Sequence, residues 1–235
     1  MADNQHGMTF WQHINELRKR LLYALIGLVA GVIVSITFSD YLLQLLAQPI
    51  GGYEQLQSIE VTENIGVFMR VSLLAGFIIA LPFILTQFYL FVAPALKKGE
   101  RRWALITVPL GLLLFILGAM FAFLVMLPAA IPVLVQFVGP EVLPRWNDYV
   151  SFVTSLIFWS GISFELPMVA FILAKLKIIS AKQLLKGWRV AVLVIAVAAA
   201  VITPTGDPVN MALLMLPLLI LYGLSILLAS IARKS

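Results

Sequence analysis

The stretch WALITVPLGLLLFILGAMFAFLVML, residues 103–127, runs for 25 residues without an ionisable side chain. An α-helix rising ~1.5 Å per residue needs ~20 such residues to cross ~30 Å of hydrocarbon, so this segment reads as a transmembrane helix. Working outward, five more apolar segments flank it, at 21–38, 65–92, 149–174, 190–203 and 209–232. The chain is therefore expected to be an all-α polytopic membrane protein, one domain over 1–235, with six spans. The fifth segment is too short to span unaided, and Thr203-Pro204-Thr205-Gly206-Asp207-Pro208 joins it to the sixth as a turn. The pair is expected to form a hairpin of short helices. Pro82, Pro109, Pro167 and Pro217 interrupt the spans, which predicts a kinked bundle with a concave face.

Composition agrees, with 62% hydrophobic and 11% charged residues, a balance that makes lipid the main solvent. Of the 16 Lys and Arg, 14 fall on one side of the expected spans. They are Arg18, Lys19 and Arg20; Lys97, Lys98, Arg101 and Arg102; Lys175, Lys177, Lys182, Lys186 and Arg189; and Arg233 and Lys234. This asymmetry predicts cytoplasmic amino and carboxyl termini. It accounts for the net charge of +5 without nucleic acid. Trp11, Trp103 and Trp188 fall at expected inner boundaries and Trp146 at an outer one, as an interfacial belt would. No small-residue cleavage site follows the first span, so an uncleaved first helix is expected.

Before the first span, Thr9-Phe10-Trp11-Gln12 has capping-box spacing, and Phe10, Ile14, Leu17 and Leu21 form an apolar stripe. These features predict an interfacial helix running into the span. Glu16 lies on its polar side. It either pairs with Arg20 one turn on, worth a few tenths of a kcal/mol, or serves a ligand. Glu100, amid Lys97, Lys98, Arg101 and Arg102, is open to the same two readings. Two carboxylates at span ends would each accept a guanidinium bidentately, which suits a ligand with adjacent arginines.

Glu165 lies deep in the fourth segment, about ten residues or ~15 Å from its inner end. An acid there is expected to be protonated or to face a polar cavity, and is a functional candidate. Gln87 is read as mid-depth in the second segment and as its neighbour. Asp207 and Asn210, at the outer hairpin turn, suit a cap or turn role. Gly27 and Gly31 form a G-x-x-x-G compatible with close helix packing. The stretch 128–138 stays apolar beyond the third segment and is expected to pack against the protein or the outer interface.

With no Cys and with both histidines, His6 and His13, ahead of the first span, no metal site and no cofactor are expected. P-loop, H-E-x-x-H and G-x-S-x-G patterns are missing, so no catalytic residues are assigned. One alternative is an ion-coupled secondary transporter with Glu165 as its proton site, although related halves are not visible. Another is an intramembrane enzyme, which lacks a nucleophile–base constellation.

Three stretches resemble the TatC family, the core receptor of the twin-arginine protein translocase. They are Phe10-Trp11-Gln12-His13-Ile14-Asn15-Glu16-Leu17-Arg18-Lys19-Arg20-Leu21, the run from Gln87-Phe88-Tyr89 through Lys98-Gly99-Glu100-Arg101-Arg102, and Ser163-Phe164-Glu165-Leu166-Pro167. The resemblance covers essentially the whole chain. It implies a bacterial inner-membrane protein that recognises the paired arginines of signal peptides on folded cargo and works from the proton motive force. It implies further that Glu16 and Glu100 bind the arginine pair, with Leu17, Arg18, Phe91, Pro94, Leu96, Arg101 and Arg102 shaping the surface. Gln87 and Glu165 would lie where a signal peptide or partner helix lodges, Pro49 would match a family proline of the first outer loop, and Asp207 would match the hairpin turn loosely. TatA-type and TatB-type single-span subunits and further copies of the chain would be its partners, because six helices enclose too little space for folded cargo.

Overall fold

Long apolar runs in lipid must close their own backbone hydrogen bonds, and this chain does so with helices. A computed structural model describes residues 10–58, 62–95, 101–138, 145–202 and 208–234. In chain order these form α1 (Phe10–Ile36), α2 (Ser39–Ala47), α3 (Glu63–Val92), α4 (Arg101–Phe121), α5 (Leu127–Val138), α6 (Trp146–Lys175), α7 (Ala181–Lys186), α8 (Trp188–Ile202) and α9 (Pro208–Lys234). Among the described residues, extended pairing is limited to one parallel bridge between Gln57 and Arg145.

Five stretches of helix are long and apolar enough to cross a membrane: Trp11–Ile36, Glu63–Val92, Ile106–Pro132, Trp146–Lys175 and Leu214–Ala232. The sixth apolar helix, α8, has 15 residues, ~22 Å of rise against ~30 Å of hydrocarbon. The expected short fifth segment is therefore present. The sixth segment departs from expectation, because α9 runs for 27 residues. Pro208 stands at its first position, where a missing N–H costs no helical bond, and Pro217 lies inside without ending it.

The third segment also outruns its expected end at residue 127. A π-helical turn, Ala122–Met126, links α4 to α5, so helix continues to Val138. Pro128 and Pro132 donate no backbone bond, and a π turn is one way to re-satisfy the carbonyls they leave. Leu127, Ala130 and Ile131 are buried in the main core, as the expected packing of this stretch against the protein requires.

Helix α6 is the hub, lying against α3, α4, α8 and α9. Its buried Tyr149, Val150, Val153 and Leu156 meet Val67 and Val71 of α3 in one core cluster. The Tyr149 hydroxyl donates to the Leu46 carbonyl at 2.8 Å, tying α6 to the end of α2. Trp146, expected as an interfacial anchor, is instead 7% exposed and belongs to that core. It opens the hub helix, and its backbone N–H donates to the Gln57 carbonyl at 2.9 Å.

Helix α1 packs along α3, and the small residues of its G-x-x-x-G make this possible. A Cβ on Gly31 would collide with the Gly76 carbonyl, and one on Gly27 with the Phe83 ring. Where the helices touch, the Ser35 hydroxyl donates to the Ser72 carbonyl at 2.6 Å, and just beyond, the hydroxyl of Ser39, first in α2, bonds that of Ser72 at 2.7 Å. Small residues and buried hydroxyls are the usual means of helix association where lipid removes the hydrophobic drive.

Candidate functional site

In the first turns of α1 the apolar stripe faces outward, toward lipid, as an interfacial helix requires. Ile14, Leu17 and Leu21 are 39%, 45% and 67% exposed, while His13, Glu16 and Arg20 are half-buried. Spacings of three and four residues put these polar side chains on one helix face, and their contacts with α3 show that it faces the protein. Lipid accepts the apolar face, so the outward face is the hydrophobic one. Phe10's side chain and the expected Thr9 cap lie outside the described residues.

Arg20 is the centre of the contacts. Its Nε donates to Glu16 Oε1 at 2.7 Å, and Nη2 stands 2.7 Å from the same oxygen. Its Nη1 donates to Gln87 Oε1 across to α3 at 3.3 Å. Both strong contacts fall on one carboxylate oxygen, and Glu16 Oε2 has no partner among the described residues. Two turns away, the rings of His13 and Phe91 stack with centroids 4.5 Å apart and planes inclined by 28°. Pro94 lies exposed in the 3₁₀ turn Ala93–Ala95 that closes α3, and Leu17 and Arg18 are exposed on α1.

The structure thus brings Glu16, Gln87 and Phe91 together. Glu100 and Leu96 lie outside the described residues, as does Asp207. Arg101 and Arg102 open α4, but their side chains are not described. Pro49 sits in the 3₁₀ turn Gln48–Ile50, which ends on Gly51 at φ 96°. That left-handed conformation suits glycine. Arg20 and His13 were not read as site residues. Their signal was spacing, at four residues after and three before Glu16.

Gln87 lies five residues from the end of α3, or ~8 Å, and is buried against Arg20. Glu165 lies ten residues from the corresponding end of α6, or ~15 Å. The expected pairing of these two is not observed. Both Glu165 carboxyl oxygens are buried without a hydrogen-bond partner among the described residues. They face Gly111 of α4, where a Cβ would come within 3.2 Å of Oε2. Glycine there leaves the acid its room.

These features define a multi-pass helical membrane protein with a partly buried Glu16–Arg20–Gln87 cluster between the start of α1 and the end of α3, and a deeper acid whose oxygens have no partner among the described residues. A family model described as Sec-independent protein translocase protein (TatC) matches residues 12–217, and the chain belongs to that family. A Sec-independent protein translocase protein TatC from Carboxydothermus hydrogenoformans is 38% identical, covering 96% of this chain and 94% of its own. The protein of the same description from Aquifex aeolicus is 36% identical over 97% of each. A crystal structure described as twin arginine translocase receptor TatC superposes with a TM-score of 0.84 at 35% identity, over 94% of this chain and 99% of that one.

Proposed function

We propose that this TatC-family component of a Sec-independent protein translocase holds the two adjacent arginines of a signal peptide between Glu16 and Glu100. The observation that carries the reading is the state of Glu16: one oxygen is held by Arg20, the other has no partner among the described residues, and the side chain is 20% exposed. An incoming guanidinium meets Oε2 first and then takes Arg20's place at Oε1. Arg20 can be released without being stranded, because Gln87 already accepts one of its N–H groups. The His13–Phe91 stack offers a flat aromatic surface, on which a guanidinium stacks well and an ammonium poorly. Lysine cannot reproduce the planar fork, so an arginine-to-lysine change in the peptide costs affinity. Hydrogen bonds to charged groups contribute about 1.5–3 kcal/mol each when partly dehydrated.

Glu100, Leu96, Arg101 and Arg102 enter by the family resemblance and by their place in sequence just after α3. In this reading the chain lies in the bacterial cytoplasmic membrane with both termini cytoplasmic, which the one-sided distribution of basic residues supports. TatA-type and TatB-type subunits and further copies of the chain complete the translocase, and the proton motive force drives it. Glu165 supports docking of a helix that brings a hydrogen-bond donor, since its oxygens have none among the described residues. The short α8 would thin the bilayer beside it and ease assembly of such helices. Family membership sets aside the solute-transporter alternative.

Photocrosslinking tests the proposal. With photoreactive residues at positions 17 and 94, a twin-arginine peptide should form adducts close to its arginine pair, and a twin-lysine peptide should not. Equal adducts from both peptides would overturn the assignment.

A further inference from the structure

At the end of the bundle opposite Glu16, a cleft of about 240 Å³ opens between α3 and α6. Its polar lining is Arg70, Ser151, Thr154 and Ser155. Arg70 Nη1 donates to Asn147 Oδ1 at 3.1 Å, so one edge of the guanidinium is anchored, and a guanidinium carries five donors in all. The Thr154 hydroxyl is given to the Val150 carbonyl at 2.6 Å, and among the described residues the hydroxyls of Ser151 and Ser155, one turn apart, have no hydrogen-bond partner. Leu73, Phe77, Phe158 and Trp159 continue the cleft as an apolar channel along the helices. Asp148, the nearest acid on α6, does not line it.

Depth tells which ligand suits this combination. Helices α3 and α6 have 30 residues each, ~45 Å of rise, which matches a bilayer with its headgroup zones and leaves ~7 Å at each end outside the hydrocarbon. Arg70 stands seven residues into α3, or ~10 Å, and reaches back to Asn147, the second residue of α6. Its guanidinium therefore lies at the hydrocarbon boundary, at the level of lipid phosphates. A cation with the Ser151 hydroxyl at that level and the Ser155 hydroxyl one turn deeper, opening into an apolar channel that leads toward the membrane centre, matches a phosphate with an acyl chain below it.

We propose that this cleft is a glycerophospholipid site. The phosphodiester accepts hydrogen bonds from Arg70 and Ser151, the Ser155 hydroxyl one turn deeper donates to an acyl-ester carbonyl, and one acyl chain lies against Leu73, Phe77 and Trp159. Because the lining carries a cation and no acid, anionic headgroups are preferred. The site is separate from the Glu16 surface and does not depend on what that surface binds.

Native mass spectrometry of the full chain in a neutral detergent tests it, titrating dioctanoyl phosphatidylglycerol with dioctanoylglycerol and inorganic phosphate as controls. One lipid should bind more tightly than the rest. Arg70→Gln should weaken that step about tenfold, as loss of a charge-assisted contact does. Ser155→Leu, which fills the cleft without touching the Arg70–Asn147 contact, should weaken it similarly even if the arginine variant folds poorly. Dioctanoylglycerol should bind at least tenfold more weakly, and phosphate at millimolar concentration should not displace the lipid. Unchanged lipid binding in both variants, equal binding of dioctanoylglycerol, or displacement by phosphate would each overturn the proposal.

Discussion

Each end of the bundle holds a glutamate facing an arginine, and the two pairs are built differently. Glu63, at the start of α3, has a side chain only 3% exposed. It accepts from the Asn147 backbone N–H at 3.2 Å and lies 3.9 Å from Arg145 Nε. Glu16 is 20% exposed at its side chain, and its partner Arg20 is a neighbour on the same helix. Glu63 joins α3 to the first turn of α6 through backbone as well as side chain, so replacing its partner would mean opening the fold. Glu16 is held from within its own helix, so exchange of its partner leaves the fold intact. The difference separates a carboxylate that secures architecture from one free to serve a ligand.

The largest effect is expected from Glu63→Ala, which strands the Asn147 N–H and removes one polar link between α3 and α6. It should cost about 2 kcal/mol in thermal unfolding in detergent micelles, with peptide affinity of the folded fraction unchanged. Equal stability would erase the contrast between the two ends. Next comes Arg20→Gln, which removes the internal competitor from Glu16. Twin-arginine peptide should bind about fivefold more tightly, ~1 kcal/mol, by fluorescence anisotropy. Weaker binding would mean that Arg20 positions Glu16 rather than competing for it. The smallest effect belongs to Arg145→Ala. At 3.9 Å and 45% side-chain exposure, that contact should contribute under ~1 kcal/mol, and the melting temperature should barely move.

The ~30 Å requirement of the membrane made the long apolar runs legible, and residues 103–127 needed no tertiary information to be read as helix. The Glu16–Arg20 pair was equally legible, because a spacing of four residues fixes it locally. Gln87 was not. Its partner Arg20 lies 67 residues away in sequence, and nothing in α3 itself says how deep α1 crosses it. The apolar stripe of Ile14, Leu17 and Leu21 was visible, and its facing direction follows from solvent: beside water it turns inward, and in lipid it turns out. Trp146 was misread, since an aromatic at a span end suits an interface or a core, and only the packing of α6 decides. The bounds of the sixth segment, 209–232, were legible to within two residues of α9; only its description as short fails, and Pro208, assigned to the turn, is the first residue of the helix.

A double-mutant cycle gives the most direct measurement of the central claim. Peptides carrying Arg-Arg, Arg-Lys or Lys-Arg would be titrated against the unmodified chain, Glu16→Gln and Glu100→Gln. The account predicts that each glutamine variant loses affinity for Arg-Arg, and that each couples by ~1–2 kcal/mol to one arginine of the pair and far less to the other. Additive losses, with neither carboxylate coupled to either arginine, would contradict it.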